Sequence, residues 1–403
     1  GDLHFIVTHA SHNIGYAYDE DWTYDGFHPW GYTSFDAYYR DVDTNTVELR
    51  FVSSDQWRLF NDTTSWVIGT RVKNNKEDLL RQYTYADGDF VSQYQPITQA
   101  VYGQLESQLS NDLLLTFALR AENYDFSYGD NAGLNGEHDS TMLGGKLALS
   151  YQLGQQLVYA SVSRGYKGAG INPDQNVSTD NRFYDEEYNW NYEIGMKGRL
   201  ADQLTSRVAF FVMKREDTQV SDYELQYRDD GSAEFIDIIS NADLGTNQGV
   251  EVELSWQATD HWNLSFSGGY LDAYFEDYTR ADGTTVTEQQ QAQAPEFTAN
   301  LLSQLDINES IRWNVEVDFA DRYRFSDGHD VTAPSRTLVH TQLSWRMENW
   351  ETQLWINNAF DETYYTRGFG GFSNDPRDFY EFDEPYYQLG NGRQTGVTVR
   401  YQF

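Results

Sequence analysis

The sequence predicts an all-β fold, a transmembrane antiparallel up-and-down β-barrel, and three observations carry that prediction. The last residues alternate without a break: Val397, Val399, Tyr401 and Phe403 interleave with Thr398, Arg400 and Gln402. The same two-residue period recurs along the chain. Short and long links between the alternating segments take turns. A period of two puts apolar side chains on one strand face and polar ones on the other. In a membrane barrel the first face meets lipid and the second a wet interior.

Composition fits that layout and excludes others. The chain has 63 acidic and 28 basic residues, a formal net charge of -35 and no cysteine. Only 39% of its residues are hydrophobic, which with such charge would point to disorder. Yet 16% are aromatic, and disordered chains are poor in rings. A barrel wall reconciles the two, because only alternate strand residues need be apolar. The acidic balance excludes a nucleic-acid partner, which requires a basic footprint. It fits solvated surface loops first and divalent-ion bridges to anionic lipid head groups second. No apolar run reaches the ~18 residues of a transmembrane helix. Gly1 begins in strand-like sequence with no leader before it, so the expectation is that the true N-terminus of an exported protein lies upstream.

The strands justify themselves in order. Leu113, Leu115, Phe117 and Leu119 alternate with Leu114, Thr116, Ala118 and Arg120. Tyr188, Trp190, Tyr192, Ile194 and Met196 interleave with Asn189, Asn191, Glu193 and Lys197. Val250, Val252, Leu254 and Trp256 interleave with Glu251, Glu253 and Ser255, and Trp262, Leu264 and Phe266 with Asn263, Ser265 and Ser267. Ile311, Trp313, Val315, Val317 and Phe319 interleave with Arg312, Asn314, Glu316 and Asp318. A soluble sandwich would alternate too, so the links decide. Tight links are expected at 53–56, 110–112, 154–156, 201–203, 258–261, 308–310 and 348–349. Long ones are expected at 21–43, 76–95, 129–139, 171–186, 228–233, 281–293, 326–333 and 366–391. Short turns on one rim and long loops on the other are the layout of an outer-membrane barrel. The count comes to about sixteen strands. Trp256, Trp262, Trp313, Trp345, Trp350 and Trp355 fall near the tight turns, where an interfacial aromatic girdle sits.

Several stretches resemble one family in the family's own order. Tyr159-Ala160-Ser161-Val162-Ser163-Arg164-Gly165-Tyr166-Lys167 is similar to the "YASVSRGYKSGG" strand of TonB-dependent outer-membrane receptors, and Tyr192-Glu193-Ile194-Gly195-Met196-Lys197 to their "YELGLKG". The run from Asn241-Ala242-Asp243 to Gly249-Val250-Glu251-Val252-Glu253-Leu254 resembles their "NAG" and "GVE-x-E" strand. Asn357-Asn358-Ala359-Phe360-Asp361-Glu362-Thr363-Tyr364-Tyr365 resembles "NLFD-x-x-YY", with Ala359 in place of the usual Leu, and Tyr401-Gln402-Phe403 the closing "YRF". The matches cover most of residues 100–403. The resemblance implies about the last sixteen of an expected twenty-two strands, with the lumen-filling plug and first strands absent from this chain. Residues 1–403 then form one partial outer-membrane β-barrel domain. It also implies active uptake of a scarce solute, most often a ferric siderophore, with energy drawn through TonB by way of the missing N-terminal region. The expected partners are outer-membrane lipid and lipopolysaccharide, the TonB complex and a small metal chelate. Two alternatives stay open: a passive sixteen-stranded porin-type channel that closes on itself, and a barrel scaffolding a surface complex.

No enzyme is expected, and no cofactor. The eight histidines are scattered. His4 and His12 share a strand face but stand too far apart to share a ligand. Without cysteine a structural zinc site is not expected. Asp327-Gly328-His329-Asp330 and Asp229-Asp230-Gly231 read as turns first and Ca²⁺ ligands second. Binding is the better prospect. The link at 21–43 holds Trp22, Tyr24, Phe27, Trp30, Tyr32, Phe35, Tyr38 and Tyr39; the last long link holds Arg367, Phe369, Phe372, Arg377, Phe379, Tyr380, Phe382, Tyr386 and Tyr387. Rings with a few converging polar groups capture ligands, or the loops pack on one another over the mouth. The candidate ligand residues are Trp22, Trp30, Tyr32, Arg164, Tyr166, Arg322, Arg324, Arg367, Phe369, Tyr386 and Tyr387. The resemblance places Arg164 and Tyr166 near the outer end of a strand. Arg322 and Arg324 share a strand face, to grip an anionic chelate or pair with nearby acids. Tyr401 and Phe403 are the candidate barrel-assembly signal.

Overall fold

The computed structural model describes residues 1–19, 24, 26–28, 31, 33–174, 177–227, 233–280, 283–370, 382 and 384–403. The chain is all-β. The first seven strands form a meander: β1 (Asp2–Asp19), β2 (Phe35–Val52), β3 (Thr64–Tyr83), β4 (Phe90–Gln108), β5 (Leu113–Asp130), β6 (Asn135–Leu153) and β7 (Gln156–Lys167). A small ribbon, β8 (Gly170–Ile171) with β9 (Phe183–Tyr184), leads into β10 (Glu187–Ala201), β11 (Leu204–Tyr227), β12 (Ala233–Thr259) and β13 (Trp262–Thr279). The short β14 (Thr285–Gln290) pairs with the distal half of β13, and β15 (Phe297–Asp306) with its proximal half. Next come β16 (Ile311–Ala320) and the ribbon β17 (Tyr323–Arg324) with β18 (Thr332–Ala333). Then follow β19 (Arg336–Met347), β20 (Trp350–Asn357), the ribbon β21 (Tyr365–Phe369) with β22 (Tyr386–Leu389), and β23 (Gln394–Tyr401).

One seventeen-stranded antiparallel sheet carries the wall. Its register sorts the two faces. Leu3, Phe5 and Val7 stand opposite Phe51, Leu49 and Val47, and Val47 and Phe51 opposite Val72 and Ile68. Leu115, Phe117 and Leu119 continue the row against Leu149, Leu147 and Gly145. Further round, Phe210 opposes Ile194 and Val250, Phe266 opposes Leu254 and Leu301, and Leu354 opposes Val397. Most of these side chains are exposed, Phe5 by 68% and Val397 by 63%. An apolar band that packs against no protein is what a wall in hydrocarbon requires. The opposite face is polar, with Glu48 against Arg71, Glu253 against Arg207 and Asn300 against Asp318. Trp256, Trp262, Trp313, Trp345 and Trp350 are exposed beside the short turns, as a girdle demands. Trp350 packs on Tyr401 at 4.7 Å, and Tyr401 meets Phe403 edge-on at 5.0 Å.

The sheet is open. Among the described residues β1 pairs only with β2 and β23 only with β20.

The links differ from expectation in an instructive way. The first short link is longer than a tight turn. It spans 53–63, with a 3-10 turn at Asp55–Trp57 and left-handed Phe60, Asn61 and Asp62, and Trp57 packs on Phe51 at 5.3 Å. Several long links are shorter. Strand β2 already starts at Phe35, β3 runs to Tyr83 and β4 starts at Phe90, while β5 and β6 leave only 131–134 between them. Above the hydrocarbon both strand faces are wet, so the alternation fades while the hydrogen-bond ladder continues. The links at 171–186, 281–293, 326–333 and 366–391 hold the small ribbons and β14. Most of 228–233, including Asp229, Asp230 and Gly231, lies outside the described residues.

Candidate ligand site at the long-link rim

The distal ends of β1, β2 and β3 build the first part of the site. Their register places Tyr16 beside Tyr38 and Tyr38 beside Arg81, and Tyr18 beside Asp36 and Asp36 beside Tyr83. All lie on the polar, interior face. Tyr16 and Tyr38 stack at 4.9 Å with planes 6° apart. The Arg40 guanidinium lies over both rings, at 5.7 and 5.5 Å, and Arg81 lies over Tyr38 at 5.2 Å. Asp36, almost fully buried, accepts Arg81 Nη2 at 2.8 Å and the Tyr38 hydroxyl at 2.9 Å. Arg40 pairs with Glu77 at 3.0 Å. Burial pushes the Tyr38 phenol well above its usual range, and burial with the Asp36 carboxylate pushes Tyr18 up to about 12. Both phenols are therefore neutral donors at pH 7. Tyr16 and Tyr18 lie on β1, the edge strand of the sheet, and are 45% and 40% exposed.

A second part lies on β4 to β7. The Tyr94 and Tyr124 hydroxyls meet at 2.7 Å, and His138 Nε2 meets Glu186 Oε1 at 2.8 Å. Phe126, fully buried, stacks on His138. Lower on this face, Tyr102 donates to Glu48 at 2.6 Å, and Arg120 binds Glu122 and donates to the Tyr166 hydroxyl. Glu48, Arg71, Tyr102 and Arg120 line a cavity of about 250 Å³.

The third part joins the late ribbons. Phe325 is buried against Tyr323, Val331 and Ala333, and it meets Tyr387 at 6.1 Å. Tyr387 in turn packs on Tyr365 at 4.3 Å. A Cβ on Gly368 would stand 2.3 Å from the Phe325 ring, so this close approach requires glycine. Arg324 and Arg280 converge on Asp330 at 2.7 and 3.2 Å, and these two cations hold its carboxyl below the usual range. Burial pushes the Asp327 carboxyl up and the His329 imidazole down. The stretch 327–330 is thus a turn whose carboxylates are already engaged. Among the described residues no group of His, Cys, Asp and Glu is placed to hold a metal ion.

The candidates named from sequence scatter over these parts. Phe369, Tyr386, Tyr387 and Arg324 come together at the late ribbons, Phe369 opposite Tyr386 in the ladder. Arg367 pairs in the same ladder with Gln388. Arg324 takes the ion-pair role, while Arg322 is exposed, outside any strand, beside Asp321. Tyr166 sits on Arg120. Arg164 lies 3.9 Å over the Tyr188 ring and donates to the Leu143 carbonyl, two uncharged partners. Trp22, Trp30 and Tyr32 lie outside the described residues. Tyr401 and Phe403 are at the other rim. Tyr16, Tyr18, Arg40 and Arg81 were not foreseen. The usable clue was Tyr16-x-Tyr18 and Tyr38-x-Arg40, where same-face spacing sets rings beside a cation.

The family described as "TonB dependent receptor-like, beta-barrel" matches residues 2–359. The pesticin receptor of Yersinia enterocolitica is 21% identical over 85% of this chain and 49% of its own length. That of Yersinia pestis is 22% identical over 68% of this chain and 38% of its own. The chain thus spans about half the length of these relatives or less. Among solved structures, the ferric yersiniabactin uptake receptor FyuA from Yersinia pestis superposes with a TM-score of 0.75 at 18% identity, covering 100% of this chain and 58% of its own. The siderophore receptor PiuA from Acinetobacter baumannii gives 0.76 at 16% identity, covering 98% and 61%.

Proposed function

This chain belongs to the TonB-dependent receptor-like β-barrel family, and we propose that it serves a bacterial outer-membrane receptor for active uptake of a siderophore-type solute. The observation that carries the reading is the Tyr16–Tyr38 stack at the interior rim, fixed by Arg40, Arg81 and Asp36. Aromatic faces with a few fixed polar groups bind planar ligands at little entropic cost. The work is capture and gated passage, so no covalent step is required of any residue.

The rest of the reading follows from membership. Residues 1–403 supply part of a barrel that about twenty-two strands close around a plug. The bare edges of β1 and β23 fit that reading, since unpaired strand edges cannot persist in lipid. TonB supplies energy through a segment outside this chain, and lipid with lipopolysaccharide surrounds the apolar band. A passive porin is the weaker reading, because a complete porin joins its own first and last strands.

The test is uptake by iron-starved cells carrying Tyr16→Ala or Arg81→Ala. Losing a ring platform or the group that holds it costs about 1–3 kcal/mol, about 5- to 150-fold in affinity. Uptake of ferric chelates untouched by both variants would defeat the assignment.

A further inference from the structure

The rim has rings in abundance, and several of its cations are already held by carboxylates. Arg40 is paired with Glu77, Arg81 with Asp36, Arg215 with Glu187 at 2.7 Å, and Lys214 with Glu276 at 2.9 Å. Arg280 and Arg324 share Asp330. Carboxylates, by contrast, are in surplus: 63 against 28 basic residues leaves an excess of 35 over the chain. They crowd at this rim. The Asp217 carboxyl is pushed up by burial and then by Asp185, Glu216, Asp243 and Glu186 around it.

We propose that the long-link rim is an electrostatic filter that admits cationic or uncharged solutes and turns away polyanions. The cargo is then a chelate of zero or positive net charge, of the ferric trihydroxamate kind rather than a ferric tris-catecholate trianion. The cargo statement rests on the uptake reading; the filter itself does not. A mouth lined by one sign of charge focuses the field and raises the local concentration of the opposite ion, while like charge slows encounter. Ring faces carry the negative side of a quadrupole, and Arg40 over both Tyr16 and Tyr38 shows that a cation is accepted there. At Arg40 and Arg81 themselves an anion would have to displace a carboxylate to find a partner.

Introduced thiols make the filter measurable without knowing the cargo, and residues 1–403 contribute no cysteine of their own to compete with them. Ile14 is 48% exposed, stands opposite Arg40 in the ladder and shares the face of Tyr16. Ile14→Cys in the native protein in its membrane is the reporter, with His12→Cys as a second on the same face and Ser110→Cys, in a short turn at the other rim, as control. Each is reacted with a trimethylammonium and with a sulfonate methanethiosulfonate, and the rate ratio is referred to that of 2-mercaptoethanol. We expect the rim reporters to favour the cation by about tenfold at low salt. The preference vanishes at about 1 M salt, where screening reaches only about 3 Å. A rim ratio equal to that of the free thiol, or favouring the anion, overturns the filter. In a parallel binding arm, tighter capture of the tris-catecholate than of the trihydroxamate overturns it too. Cation preference at the reporters with neither chelate bound leaves the filter standing and counts against the uptake reading.

Discussion

The wall near the short turns and the rim at the long links share the same strands but put apolar side chains to opposite uses. In the wall, Leu119 and Leu143 are each 57% exposed and Phe5 is barer still. At the rim, Phe126, Phe275 and Tyr278 are buried to within 2% and Phe325 to within 7%. Hydrocarbon replaces protein as the partner of the first set, so the wall needs no core of its own. The rim stands in water and must build small ones, such as Val220 with Ala242, Phe275 and Tyr278. The solvent, not the strand, decides which face is hydrophobic.

The sharpest way to break that contrast is a charge placed on each face of the wall. Leu147→Arg on the bare face should cost about 2–4 kcal/mol if it lies near the bilayer midplane. Gln104→Arg on the interior face should stay within about 0.5 kcal/mol. Urea titration of folding into lipid vesicles reads both, and equal costs would mean that the two faces meet the same medium.

At the rim the corresponding probe is packing. Phe325 touches residues of the 323–333 stretch and Tyr387 of the last link. Phe325→Leu should loosen the late ribbons by about 1 kcal/mol and leave vesicle insertion unchanged. Amide exchange at Phe325, whose N–H bonds the Val331 carbonyl at 3.0 Å, should quicken accordingly. Global unfolding without local loosening would show that wall and rim form one cooperative unit.

The same contrast explains what the sequence could disclose. Rows such as Leu113 to Leu119 or Ile311 to Phe319 announce themselves because lipid on one side enforces the period of two. The tryptophans at 256, 262, 313, 345 and 350 are legible because an interface selects them. Residues 35–43 and 76–83 looked like loop, since both faces of those distal strand ends are wet and nothing enforces alternation. Arg81 left no mark at all. Its partner Asp36 lies 45 residues away, and only the register of β2 with β3 brings them to 2.8 Å. Rings in the last link were visible as an excess, but that Tyr387 would land on Phe325 rather than on a solute depended on Gly368.

Charge at the rim should matter less than packing. The Asp330 side chain is 80% exposed, so water screens its pairs with Arg280 and Arg324. Asp330→Asn should weaken the docking of 323–333 by no more than about 1 kcal/mol, and the effect should shrink with salt. Amide exchange at Val331 in low and high salt reads it; a salt-independent loss would point to packing instead.

The smallest effect, and the finest test, is a pH slope whose sign differs between two residues three apart. Asp330 is held low by Arg324 and Arg280, so its contribution is present above the ordinary 3.8 and is lost as pH falls through its lower folded value. Asp327 is pushed up by burial, with Asp222 adding to the push. The folded state then holds its proton more tightly than the unfolded chain. Its contribution is full below 3.8 and is lost as pH rises through the raised value. Asp327 Oδ1 accepts the Ala292 N–H at 2.6 Å, a bond that ionisation strengthens, so the decline is read from about pH 3 to 7 at the next residue, where the Gln293 N–H donates to the Arg324 carbonyl at 2.9 Å. Asp327→Asn keeps an acceptor oxygen there and removes the titration. It should flatten the decline in protection above pH 4, after correction for intrinsic exchange, while Asp330→Asn leaves that decline in place. A decline that survives Asp327→Asn would mean that the rim is loosened by its wider excess of carboxylates rather than by one buried acid.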